Sequence, residues 1–300
     1  MATMKPWGRT LRTLGIAAGM GALPALNFLP HWQWLLQLVV LSCLLRLMVR
    51  LPRQQDTSEK VHRLAFIQGW AFGFGWIIAS VYWLYIAMHR FGDMPAPLAV
   101  VALILFSLFI GIFPGLSLYA ASKLRRDSSD TVYALAIIPA CFALGEWLRG
   151  WFLTGFPWNV SGYAHVDSIF SGLFPLLGVY GTGWIALVFA GIAILASQSW
   201  RAKLINFSAL VSFAIVCSLL GHIEWSQPQG QPIKVRLLQG NISQDAKFAS
   251  ERVIDSLQLY QRMIQQDSAD LIATPETAFP TFMHMLPAQS QPLVTRRAGR

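Results

Sequence analysis

Pro97-Leu-Ala-Val-Val-Ala-Leu-Ile-Leu-Phe-Ser-Leu-Phe-Ile-Gly-Ile-Phe-Pro-Gly-Leu-Ser-Leu-Tyr-Ala-Ala121 runs without a single charged side chain. A bilayer core takes about 20 consecutive apolar residues in a helix, so this stretch reads as a membrane span. Working outward, similar segments cover roughly 11–29, 32–50 and 64–88 before it, and 131–149, 177–197 and 203–221 after it. The piece 168–176, with Pro175 and the nearby Gly178, reads as an interfacial or re-entrant turn. Composition agrees: 55% of residues are hydrophobic and 12% charged, against about 25% charged in soluble domains. A water-soluble core cannot hide so much apolar side chain. The expectation is a polytopic α-helical membrane domain of about seven helices over residues 1–226.

The formal net charge of +9 follows the same plan. With the N-terminus taken as cytoplasmic, the inner loops carry Lys5, Arg9 and Arg12, then Arg50, Arg53, Lys60 and Arg63. They continue with Lys123, Arg125 and Arg126, then Arg201 and Lys203, while the outer loops carry little beyond Arg90 and the edge residue Arg149. That asymmetry is the positive-inside pattern, and seven crossings place everything after residue 222 outside the cytoplasm. The basic residues lie between apolar segments and not along one face, which argues against nucleic acid as a partner. The charged start before the first apolar run reads as part of a retained first helix rather than a cleaved signal. Cys43, Cys141 and Cys217 all fall inside apolar stretches, and the six histidines show no ligand spacing, so no metal and no cofactor is expected.

After the polar linker Gln227-Pro-Gln-Gly-Gln-Pro232 the pattern changes. Ile233–Gln239 reads as a strand, and Gly240–Asp245 as a loop. From Ser250, which suits a helix N-cap, Val253, Ile254, Leu257, Tyr260 and Ile264 recur at helical spacing. Leu271–Thr274 is the next strand. Strand, helix and strand in this order make a βαβ unit with a parallel pair. Two strands and one helix cannot close a core, so residues 233–300 read as an incomplete α/β domain. The tail Gln289–Arg300 has no periodicity.

Few residues offer chemistry. Asp270-Leu-Ile-Ala-Thr-Pro-Glu276 delivers one carboxylate to a strand end, where α/β folds place reactive groups. The bland reading of Glu276 is a solvated loop carboxylate. Glu146 and Arg149, three residues apart at a span's end, share a helix face and can pair. Ionisable groups there either serve a ligand or form a buried pair that fixes the helix end. Tyr82–Pro95 and Trp151–Tyr163 are rich in aromatic, Gly and Pro residues and suit headgroup-level loops.

Several stretches carry a resemblance in their order along the chain. They are Gly73-Phe-Gly75, Tyr82-Trp-Leu-Tyr85, Phe91-Gly-Asp-Met-Pro95, Glu146-Trp-Leu-Arg-Gly150, Thr154-Gly-Phe-Pro-Trp158, Leu238–Asp245 and Pro275-Glu-Thr-Ala278. Together, over about residues 10–285, they resemble apolipoprotein N-acyltransferase, the inner-membrane enzyme of bacterial lipoprotein maturation. The resemblance implies a membrane domain joined to a periplasmic nitrilase-like (αββα sandwich) domain, with a last helix returning to the cytoplasm. It implies transfer of an acyl chain from a phospholipid donor to the α-amine of a lipoprotein's N-terminal diacylglyceryl-cysteine. In that family a Cys thiolate holds the acyl group as a thioester, a Glu is general base and a Lys stabilises the oxyanion.

By position Glu276 matches the catalytic Glu, while the Lys and Cys are expected beyond residue 300. The resemblance therefore implies a C-terminally truncated chain, through truncation, frameshift or a fragmentary gene reading. Two departures stand out. Thr274 replaces a frequent Trp before Pro275-Glu276, and Phe248, after Lys247, replaces a Trp implicated in substrate contact. Lys247, Phe248, Glu146 and Arg149 are the candidate substrate-binding residues. The competing readings are an inactive membrane fragment or a protein that binds lipid or lipoprotein without turnover. A transporter is disfavoured, because no pair of interrupted helices is evident.

Overall fold

The computed structural model describes residues 6–26, 32–52, 59–195, 200–242, 250–276 and 278–279. The chain divides into two units, Met1–Trp225 and Ser226–Arg300. Lys247, Phe248 and the tail Gln289–Arg300 lie outside the described residues.

The first unit is helical. In order it contains α1 (Pro6–Ala22), a 3-10 turn (Leu23–Leu26), α2 (Gln33–Val49), α3 (Glu59–Ser80) and α4 (Trp83–Ile86). After a π turn (Ala87–Phe91) come α5 (Ala96–Leu124) and α6 (Asp130–Val132), which a second π turn (Tyr133–Ile137) joins to α7 (Ile138–Arg149). Short 3-10 turns lead to α8 (Phe174–Ile194), and α9 (Trp200–Leu220) follows. Among the described residues four helical segments are long and apolar enough to cross a membrane: Ala96–Leu124, Asp130–Arg149, Ser171–Ile194 and Lys203–Leu220. A fifth results if Glu59–Ser80 and Trp83–Phe91 count as one span, bent by 51°, and Gln33–Val49 is a shorter apolar helix. These helices make the chain a membrane protein, and seven crossings remain an expectation.

Local chemistry explains where the helices break. The expected continuous span 64–88 ends at Ser80, whose hydroxyl donates to the Trp76 carbonyl at 2.6 Å; such back-bonding to the fourth residue before bends helices. The π turn before α7 precedes Pro139. A proline lacks the N–H that would reach four residues back, and its ring crowds that carbonyl. The apolar helix expected from 177 begins earlier, at Phe174, and kinks at Gly178, where φ is 63°.

At its centre the contact between α3 and α5 is made by backbone. Gly69 and Gly73 on α3 face Gly111, Pro114 and Gly115 on α5, and a Cβ on Gly73 would lie 3.0 Å from the Gly111 Cα. Two such small-residue pairs four apart let helices approach closely in lipid, where packing replaces the hydrophobic effect. Trp70 Nε1 donates across this seam to the Leu108 carbonyl at 2.8 Å. Beside it lies the main core, built on Leu41, Leu44, Met48, Phe72, Trp76, Tyr133, Phe142 and Leu187.

Arg125, counted above among the orienting charges, is buried. Its guanidinium donates to the carbonyls of Leu51 (2.8 Å) and Val49 (2.9 Å) and to Asp130 Oδ1 (2.9 Å), and it sits 4.6 Å from the Tyr133 ring centre. It caps α2, whose last carbonyls have no partner within the helix.

The second unit holds β1 (Val235–Leu237), α10 (Ser250–Gln265) and β2 (Leu271–Ala273). The strands pair in parallel, Val235 with Leu271, Arg236 with Ile272 and Leu237 with Ala273. This is the strand, helix and strand expected, with the second strand one residue shorter. Leu238, Tyr260 and Ala278 form a small core with Ile242, Met263, Ile264, Ile272 and Phe279. Val235, Leu237 and Leu271, which alternate with inward residues, are exposed.

Candidate functional site

The last turn of α7 delivers Glu146 and Arg149 to one small space, both buried. The Glu146 carboxylate meets Ser161, at the start of the 3-10 turn Ser161–His165. The Ser161 N–H donates to Oε1 at 2.8 Å and its hydroxyl donates to Oε2 at 2.6 Å. Room for that hydroxyl comes from Gly183 on α8, where a Cβ would overlap it. No salt bridge joins Glu146 to Arg149: the carboxylate is held by Ser161, and Nε and Nη2 of Arg149 have no hydrogen-bond partner. The pairing expected from their spacing is thereby corrected. A helix face shared at three residues puts the two charges near each other, but the rigid loop donor wins the carboxylate. The two charges still attract across the gap.

Glu146 and Arg149 line a cavity of about 10 Å³ with Gly73, Trp76, Phe113 and Pro114. That is about the room one water needs. The α3–α5 seam thus forms one wall of the ionic site.

The loop after α7 is held in an unusual backbone. Leu153 (φ 49°), Thr154 (φ 75°) and Gly155 (φ 86°) are three consecutive left-handed residues. For a β-branched residue such as Thr154 this is a genuine outlier, and such strain gathers at functional loops. The Phe156 N–H donates to the Arg149 carbonyl at 2.9 Å and closes the loop, leaving Trp151, Phe152 and Leu153 exposed. The two aromatic stretches singled out in the sequence meet here: the Trp83 and Trp158 ring centres are 5.2 Å apart, and Phe156 lies 5.0 Å from Phe106.

His165, one of the histidines without ligand spacing, is fully buried, with Nδ1 3.4 Å from Ser168 Oγ and Nε2 unpartnered. Burial disfavours its cation and lowers its pKa to about 4.

In the second unit Glu276 stands in the turn after β2 and is exposed. The Ala278 N–H donates to the Pro275 carbonyl at 3.2 Å and tightens that turn. At the opposite end of β2, Asp270 Oδ2 accepts from the Lys234 N–H at 2.7 Å and fixes the strand pair. Arg236 reaches the carbonyls of Asp267 (2.6 Å) and Met263 (2.8 Å) and ties β1 to the end of α10. The structure thus brings Glu146 and Arg149 together and sets Glu276 at a strand end. Ser161 was not anticipated, although a buried carboxylate at a helix end calls for donors in the following loop.

The family model described as Apolipoprotein N-acyltransferase N-terminal domain matches residues 20–192. The chain is similar to the Apolipoprotein N-acyltransferase of Ralstonia nicotianae, 39% identical over 288 residues, which is 95% of this chain and 53% of the relative. The corresponding protein of Chromobacterium violaceum is 34% identical over 297 residues, covering 97% of this chain and 55% of the relative. That of Nitrosomonas europaea is 32% identical over 290 residues, covering 94% and 55%. The chain spans about half the length of these curated relatives. With its helical unit matched across residues 20–192, the chain belongs to the apolipoprotein N-acyltransferase family.

Proposed function

We propose that this chain supplies the membrane part and the first βαβ unit of a phospholipid:apolipoprotein N-acyltransferase. The similarity to relatives of that name, running over 95% of the chain and through both units, carries the reading. The acyl donor is a phospholipid and the acceptor is the α-amine of a diacylated lipoprotein. The first unit sits in the bacterial inner membrane with its N-terminus in the cytoplasm and crosses seven times. The second unit is the start of a periplasmic nitrilase-like domain. Its exposed Val235, Leu237 and Leu271 support this, since among the described residues they give one sheet face the apolar character that a sandwich covers with a second layer.

Glu276, at the end of a strand in a parallel pair, is the general base that raises the thiolate share of a Cys nucleophile. Lys247 and Phe248 contact substrate in the loop between β1 and α10, and Glu146 with Arg149 organises the membrane side. The test is acylation of a diacylated lipopeptide, read by mass spectrometry, in membranes of cells that depend on this gene for lipoprotein N-acylation. Glu276→Gln is expected to lower the rate at least about a hundredfold, within the range of general-base losses. A rate unchanged by that substitution would remove Glu276 from the chemistry. A second reading is favoured by the three cysteines, all on helices of the first unit. In it residues 1–300 alone bind lipid or lipoprotein without turnover, and the purified chain retains lipopeptide but forms no thioester.

A further inference from the structure

The cavity of about 10 Å³ at the ionic site is lined from three sides, by α3, α5 and α7, and its hydrogen-bonding groups do not balance. Arg149 lines it and is 4% exposed, yet Nε and Nη2 have no hydrogen-bond partner. A charged donor left unpaired in a buried site is costly. Glu146 lines the same space. Ser161 fills one acceptor position on each of its carboxylate oxygens, and a carboxylate has about four such positions. The Ser117 hydroxyl, on the α5 side, commits its proton to the Phe113 carbonyl at 2.8 Å, which leaves the oxygen's lone pairs. The remaining polar side-chain atom among the lining residues is the Trp76 indole nitrogen, a further donor. Unused donors thus lie on one side of the cavity and unused acceptors on the other, with no salt bridge to join them.

We propose that this cavity is the site of one structural water molecule that bridges Arg149 to Glu146 and Ser117. The occupant must accept from the guanidinium and donate to the carboxylate, and a water does both. A halide accepts from Arg149 but meets the Glu146 charge and has nothing to donate, while a cation meets the guanidinium. The volume excludes a larger molecule, since a single water already requires about 10–15 Å³. The bridge turns two buried charges without direct contact into one connected network. That network runs from α5 through the end of α7 to Ser161, and so braces both ends of the strained loop Gly150–Val160. The site rests on the packing of the first unit and not on the acyl transfer proposed above.

The experiment is radiolytic hydroxyl labelling of the whole chain in lipid nanodiscs, read by mass spectrometry, because the radicals form where water is present. Phe142 lines the cavity and Phe72 does not; both are 1% exposed, and their ring centres are 6.4 Å apart. Labelling of Phe142 is expected to exceed that of Phe72 by about tenfold or more, since a close-packed apolar core stays dry. Equal labelling of the two rings overturns the proposal, and this comparison needs no variant. The double variant Glu146→Gln with Arg149→Met removes both charges and the unpaired donors, and thermal unfolding checks that it folds. Its Phe142 labelling is expected to fall to the level of Phe72; a signal that persists in the folded variant overturns the bridge. The parent is also melted in chloride and in gluconate at equal ionic strength. Equal midpoints are expected, and a higher midpoint in chloride overturns water in favour of an anion.

Discussion

Arg125 offers the most exacting test of how the first unit is held together. Arg125→Met keeps an apolar stem of similar reach and removes the guanidinium. The change deletes the bonds to Leu51, Val49 and Asp130 and the contact with the Tyr133 ring. It leaves the last carbonyls of α2 unpaired in a site where Arg125 is only 4% exposed. Asp130 contributes less than the carbonyls do, because its side chain is 44% exposed and water replaces the lost partner. Breaking one side of a buried charged cluster costs about 3–5 kcal/mol. For a unit of this size, each kcal/mol moves the midpoint by roughly 2–4 °C. Thermal unfolding in detergent, followed by intrinsic fluorescence, should therefore show a drop of about 6–20 °C. Arg125→Lys should fall between, since an ammonium keeps the charge but cannot fork to two carbonyls. A midpoint for Arg125→Met within about 1 °C of the parent would refute the capping role, given that scale.

Other outcomes follow from the same geometry. Ser161→Ala leaves one of two donors on a buried carboxylate and should cost about 1.5–3 kcal/mol in chemical or thermal unfolding; Gly183→Ala, which displaces the same hydroxyl, should act in the same direction. Gly73→Val forces α3 off α5 and should destabilise by about 1–3 kcal/mol or more, whereas Leu98→Val on the exposed face of α5 should be nearly silent in the same melt. His165 is held neutral, with a pKa of about 4 against about 6.5 when unfolded. Its contribution is therefore complete above about pH 6.5 and is lost as pH falls toward 4, by up to about 3 kcal/mol. Melts between pH 7 and 4 should show that loss in the parent and a flatter profile in His165→Gln.

Patterns that depend on a residue's neighbours in the chain were legible. The apolar run around Leu105 became α5, the spacing from Val253 to Ile264 became α10, and the βαβ order set Glu276 at a strand end. What escaped depends on partners brought from afar. Glu146 takes its donor from Ser161, fifteen residues on, because a loop folds back over the helix end. Arg125 looked like an orienting surface charge, yet its acceptors lie more than seventy residues earlier. The end of α3 turned on one hydroxyl: Ser80 differs little from its neighbours in hydropathy, but its bond to the Trp76 carbonyl competes with the helix ladder.

The seam of glycines between α3 and α5 has a mechanical consequence. Where Gly69 and Gly73 meet Gly111 and Gly115, α3 and α5 stand backbone against backbone, a stiff crossing with little soft side chain to compress. At the other extreme, α9 packs on the rest of its unit mainly through Phe213, Cys217 and Leu220, and little else of the helix is buried. Under load that crossing is expected to keep its shape while α9 yields first. Since α9 leads directly into the linker before β1, compliance in this membrane unit is concentrated at its exit, and the ionic site against the crossing is shielded from it.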